Sequence, residues 1–123
     1  MLAAQPLVAF VATRDPDRAR VFYQETLGLR LVSDEPYALV FDANGTTLRV
    51  QKVQEVEPQG FTVLGWLVPD VIETVRALRK RGVAFERYGF MEQDEDGVWT
   101  APGGAKVAWF RDPDGNTLSL TQG

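Results

Sequence analysis

The chain has 123 residues, 13 Lys and Arg against 17 Asp and Glu for a net charge of −4, and neither histidine nor cysteine. A domain of this length buries roughly 65% of its unfolded surface without staples. The missing residue types exclude disulfides, thiolate chemistry, imidazole acid–base catalysis and the commonest transition-metal ligand, while the acidic balance argues against a nucleic-acid surface.

The opening "MLAAQPLVAFVATR" is apolar but lacks a basic leader, contains Gln5 and Pro6, and is too short to span a bilayer. A cytoplasmic protein with no membrane segment is expected. Within that stretch "PLVAFVA" reads as a strand. "DPDRARVFYQETLG" follows, with Asp15 placed to cap a helix, Pro16 at its first position and Gly28 as its stop. Ala19, Phe22, Tyr23 and Leu27 make one apolar stripe, so a helix is predicted near 16–27. "DANGTTLRV", residues 42–50, then reads as a turn and a strand, and "QEVEP" at 54–58 as a joint between halves.

The second half repeats the order. "FTVLGWLV" is a strand, Asp70 caps "DVIETVRALRKRG", Glu73 completes a box-like D-x-x-E, and Gly82 stops a helix predicted over 70–81. Val71, Val75 and Leu78 form its stripe, and Arg79, Lys80 and Arg81 fall in its last turn, where the helix dipole favours cations. The basic run is expected to be a solvated helix end. "EQDEDG", 92–97, reads as a solvated, mobile loop, with a cation-attracting lip as the other reading. Gly103 and Gly104 allow a bend before "DPDGNTLSL", 112–120, which nearly restates "DANGTTLRV".

Strand, Asp cap, helix and Gly stop recur at the offset that carries Asp15 onto Asp70, and the strand after each D-x-x-G turn recurs at the longer offset that carries Asp42 onto Asp112. The difference between the two offsets is an insertion in the second copy, placed in "GFMEQDEDGVWTAPGG". The chain therefore reads as one α+β domain of two βαβββ modules, about 6–53 and 60–121, with equivalent D-x-x-G turns closing each.

With "DPDRARVFYQETLGL" after the first strand and "PGGAKVAWFRDPDGNTLSL" at the end, the chain resembles the vicinal oxygen chelate superfamily, as a small glyoxalase-like or bleomycin-resistance-like member. The resemblance implies curled mixed sheets around a cleft, within a homodimer. It also implies that metal-dependent relatives draw four ligands from related positions of the two modules, which here fall at Val8, Arg49, Val63 and Ser119. Valine offers no lone pair and Arg49 is a permanent cation, so no metal and no cofactor is expected.

Strand alternation places Ala9, Val11, Leu48, Val50, Leu64, Trp66, Val68, Leu118 and Leu120 on faces that helices should cover. The opposite parity carries Val8, Phe10, Ala12, Thr47, Arg49, Gln51, Val63, Gly65, Leu67, Thr117, Ser119 and Thr121, a mixed face suited to a small molecule. The candidate ligand-binding residues are Phe10, Arg49, Gln51, Trp99, Trp109 and Ser119. Arg49 is suited to the anionic or carbonyl group of a small organic ligand, or else to an internal carboxylate such as Glu35 or Glu86. Trp99 and Trp109 read as an aromatic wall or as core, and Ser119 as a hydroxyl without a base to activate it. The expected function is metal-free binding, sequestering or presenting a small molecule; the alternative is an enzyme of the same superfamily, a lyase, dioxygenase or transferase.

Overall fold

The computed structural model describes residues 1–123. The chain divides into two compact units, Met1–Glu57 and Pro58–Gly123. In the first unit, β1 (Val8–Thr13) leads into α1 (Pro16–Arg20), which continues as a π-helix over Val21–Thr26, followed by β2 (Arg30–Asp34), β3 (Ala38–Ala43) and β4 (Thr46–Lys52). The second unit holds β5 (Thr62–Leu67), α2 (Val71–Lys80), β6 (Trp99–Thr100), β7 (Lys106–Arg111) and β8 (Thr117–Gln122). Each unit forms an open four-stranded sheet of the same topology, ordered β1-β4-β3-β2 and β5-β8-β7-β6, with the first two strands parallel and the rest antiparallel. The α+β class and the twice-used βαβββ module are as predicted.

Both predicted caps form. Asp15 accepts from the Arg18 N–H at 3.2 Å and Asp70 from the Glu73 N–H at 3.1 Å, each satisfying a helix donor that has no partner within its helix. Gln122 adds a second tie at α2, its side-chain oxygen accepting from the Val71 N–H at 2.8 Å. The first helix departs from expectation in its second half. There the Leu27 N–H reaches back five residues to the Phe22 carbonyl, 2.9 Å away, so the helix widens to a π turn. The apolar stripe survives: Tyr23 is fully buried, meets Phe22 edge-on at 5.1 Å, and lies 5.9 Å from Phe41 on β3.

The covered face of the first sheet is the predicted parity, with Val11, Leu48 and Val50 buried beside Leu39 and Phe41. In the second unit Leu118 and Leu120 are buried with Val71, Val75, Ala108 and Phe110. Trp66, half-buried, stacks on Phe110 at 6.4 Å, and Phe85 approaches the same ring at 5.3 Å.

The two D-x-x-G turns look alike in sequence but are different structures. Ala43 pairs with Thr46, so "DANG" closes a two-residue hairpin in which Asn44 (φ 52°) and Gly45 (φ 90°) are both left-handed, the combination of a type I′ turn. In "DPDG" the place of Ala43 is taken by Pro113, which has no N–H to give to a strand pair, and Arg111 and Thr117 are joined by a five-residue loop. Asp112 organises that loop, accepting from the N–H groups of Asp114 at 3.0 Å and Asn116 at 2.9 Å.

Candidate functional site

The predicted uncovered parity is found on one face of each sheet. In the first unit Phe10 on β1 stands beside Arg49 on β4, and Arg49 beside Val40 on β3. Gln51, two positions along β4, is exposed and pairs with Ala38. Val8 and Phe10 are 43% and 51% exposed, a large apolar area for one strand to leave uncovered. Arg49 sits among these apolar groups and makes a single contact at 3.5 Å to Glu35, whose other carboxylate oxygen accepts from Ser33 at 2.9 Å. The second carboxylate considered from sequence, Glu86, is engaged elsewhere, accepting from Arg111 Nε at 2.9 Å. The Arg49–Glu35 pair is long and partly exposed, with side chains 32% and 46% accessible, a geometry that contributes between 0 and about 1 kcal/mol.

In the second unit the residue beside Ser119 on β5 is Gly65, and the one beside it on β7 is Trp109. The pair Gly65–Ser119 is the counterpart of Phe10–Arg49 under the two sequence offsets, so both offsets are realised in strand register. Ser119 is buried at 8% exposure. A Cβ at Gly65 would stand 2.7 Å from Ser119 Oγ and 3.3 Å from its carbonyl oxygen. Gly65→Ala is accordingly expected to destabilise the fold by about 1–3 kcal/mol, and Ser119→Ala in that background to recover part of the loss. Denaturant midpoints check both, and an unchanged midpoint for the single variant would refute the crowding.

Trp99 and Trp109 share this face, their rings 6.2 Å apart. Two residues that sequence reasoning passed over extend them. Tyr88 meets Trp109 edge-on at 5.5 Å, and Phe90 stacks on Tyr88 at 5.7 Å, giving a continuous run of four rings. Burial, reinforced by the charge of Glu86, pushes the Tyr88 hydroxyl above its ordinary pKa, so it stays protonated. An open groove borders these rings, lined by Arg87, Tyr88, Phe90, Gln93 and Trp99 among others. Phe90 is 82% exposed.

The segment that carries Tyr88 and Phe90 is the insertion. Matching β2 to β6 places the extra residues between Gly82 and Trp99, which takes in residues 89–98 of the stretch predicted to hold them and begins somewhat ahead of it. The acidic run within it is not the solvated, mobile loop expected. Gln93 accepts from the Tyr88 N–H at 2.7 Å and donates to the carbonyls of Glu86 and Gly97 at 2.9 and 2.7 Å. Asp94 Oδ1 accepts from the N–H groups of Asp96 and Val98, both at 2.9 Å. Asp96 is only 6% exposed and holds Arg76 and Arg79 of α2. The basic run is correspondingly not a purely solvated helix end. Charge density alone misled here; an Arg at i and i+3 on one helix face was the signal that a carboxylate would be needed.

A metal centre of the kind the resemblance implies does not fit these residues. Val8, Arg49, Val63 and Ser119 supply one hydroxyl, one cation and two hydrocarbons, and Val63 lies at a register irregularity of β5. Nowhere do three Asp or Glu side chains converge as a ligand set.

Two open mixed sheets of identical order, each with one helix-covered and one uncovered face, define an α+β chain of duplicated βαβββ modules. A family model described as Glyoxalase/Bleomycin resistance protein/Dioxygenase superfamily matches residues 5–120, and the chain belongs to that superfamily. TnmS3, an antibiotic binding protein from Streptomyces sp. CB03234, is similar at 27% identity over 97% of each chain, with a TM-score of 0.69. Lactoylglutathione lyase from Agrobacterium tumefaciens superposes with a TM-score of 0.76 at 17% identity, over 98% of this chain and 96% of that one. A superfamily member from Sphaerobacter thermophilus gives 0.76 at 24% identity over the full length of both chains. At those identities the last two show the fold alone. No curated protein sequence gives a significant match.

Proposed function

We propose that the protein binds a small, largely apolar organic molecule with a flat ring system, and sequesters or presents it without a catalytic metal. The run of four rings Phe90, Tyr88, Trp109 and Trp99 carries this reading. Aromatic faces and edges, partly exposed and already arranged, bind planar ligands at little ordering cost. The similarity to an antibiotic binding protein supports it. On the uncovered face of the first unit, taken by itself, Arg49 beside Phe10 is proposed as a further contact point, for the anionic or carbonyl group of a small ligand.

Catalysis of the superfamily's metal-dependent kinds is disfavoured by the residues themselves. Without His or Cys, and with valine and arginine at the ligand positions, the uncovered faces offer no metal ligand set. Assembly as a cytoplasmic homodimer belongs to the same proposal, since Val8, Phe10, Val63 and Leu67 leave apolar surface uncovered.

The test combines two measurements. Titration with 2-naphthoate, a flat bicycle bearing one carboxylate, is expected to quench tryptophan fluorescence and saturate, with Trp109→Ala abolishing most of the signal and weakening the affinity. Native mass spectrometry of protein purified without chelator reads dimer mass, bound metal and any copurified organic molecule together. Stoichiometric zinc, nickel or iron would restore the catalytic reading to first place, and a monomer mass at micromolar concentration would count against the dimer.

A further inference from the structure

The inserted segment is cross-linked internally by Gln93 and Asp94 and joins β7 at its start, where the Glu86 N–H donates to the Trp109 carbonyl at 2.8 Å. Its far end is fastened differently. Asp96, buried among its neighbours, accepts from Arg76 Nε at 3.2 Å and Nη2 at 3.0 Å, and from Arg79 Nη1 at 3.4 Å. This is a two-pronged, charge-assisted clasp between the segment and α2, with a third bond beside it. Between the two fastenings lie Arg87, Tyr88, Phe90 and Gln93, the residues that give the groove its wall.

We propose that Asp96 is a positioning residue for the ring-lined groove: by clasping Arg76 and Arg79 it fixes the shape of segment 86–98, and so sets ligand affinity without touching the ligand. This rests on the binding function proposed above.

The surrounding charges fit that role. Arg76 and Arg79 face the carboxylate from α2, Arg87 from the segment itself, and the opposing charges nearby are Asp94 and Glu95, the latter 3.9 Å from Arg76. The hydrogen bond and charge of Arg76 hold the Asp96 carboxyl below the usual carboxylate range. A lowered folded-state pKa means that its contribution is full above pH about 4 and is lost as pH falls through the lowered value. The clasp is therefore closed across the neutral range and is constitutive.

Asp96→Asn keeps the size of the side chain and removes its charge, leaving Arg76 and Arg79 side by side. It is expected to weaken 2-naphthoate binding roughly 10-fold, the effect of losing a charge-assisted contact. Hydrogen exchange should accelerate in 86–98 while the amides of β7 and β8 beyond that contact stay protected. Arg76→Gln, altering a side chain 58% exposed on the helix, gives the same pattern by a second route if the first variant folds poorly, and Arg76→Lys should fall between it and the wild type. Unchanged exchange in 86–98 in both Asn and Gln variants would overturn the clasp. Faster exchange there with unaltered affinity would overturn the positioning role. A wild-type chain that ignores 2-naphthoate defeats the binding function instead, and the exchange comparison then decides the clasp by itself.

Discussion

Replacing Arg49 with alanine is expected to weaken binding of an anionic aromatic ligand such as 2-naphthoate at the uncovered face of the first unit by roughly 10- to 150-fold, the equivalent of the roughly 1.5–3 kcal/mol lost with a charge-assisted hydrogen bond. Stability should change little. The contact with Glu35 is a single one at 3.5 Å between partly exposed groups, and such pairs contribute at most about 1 kcal/mol. Had the guanidinium been clasped by its carboxylate from two sides, as Arg76 is, removal would have left a buried charge without its partner and the loss would have appeared in the melting curve. Calorimetric titration beside thermal unfolding separates the cases. A large fall in melting temperature with unaltered affinity would make Arg49 a structural residue, and equal affinity with equal stability would remove it from both roles.

The largest stability effect is expected at Phe110. Its ring is fully buried on β7, stacked against Trp66 at 6.4 Å and met by Phe85 at 5.3 Å, so two aromatic neighbours depend on this one ring. Phe110→Ala should cost about 3–5 kcal/mol through lost transfer energy and the cavity left behind. Phe85 sits at the head of the inserted segment, where it forms a bridge with Phe110, so the same substitution should also loosen the approach to the ring-lined groove. Urea unfolding measures the first effect, and a midpoint within error of wild type would refute this account of the second core.

What was legible in the sequence was whatever alternates or repeats. The two repeat offsets, Asp15 to Asp70 and Asp42 to Asp112, were found by matching short strings. They predicted which positions of the two modules are equivalent, and the neighbours Phe10–Arg49 in the first sheet are matched by Gly65–Ser119 in the second. Caps at Asp15 and Asp70 were legible because a short acidic side chain before an apolar period has few other uses. The groove was not legible. Tyr88 and Phe90 lie in a stretch with neither a period of two nor of 3.6, and their partner Trp109 comes much later, on another strand. Asp96 was misread for a related reason. In a run of acids every carboxylate looks alike, and only the fold selects the one that faces Arg76, far back on α2. The two D-x-x-G turns failed differently: the letters matched, but Pro113 stands where Ala43 pairs with Thr46 in the first turn, and a proline has no N–H for that ladder.

The parallel pairing of first and last strands in each unit governs how freely each can change. Strand β1 meets β4 with Val8 beside Thr47, and β5 meets β8 with Thr62 beside Thr117, so the second crossover is the longer of the two. The entropy of closing a chain grows only with the logarithm of its length, so the added length costs about 0.3 kcal/mol relative to the first crossover. New residues entering ahead of β6 thus leave the sheet almost unaffected, and it stays closed by the same ladder. That crossover is where this architecture can acquire a new recognition surface while its twin remains as it was.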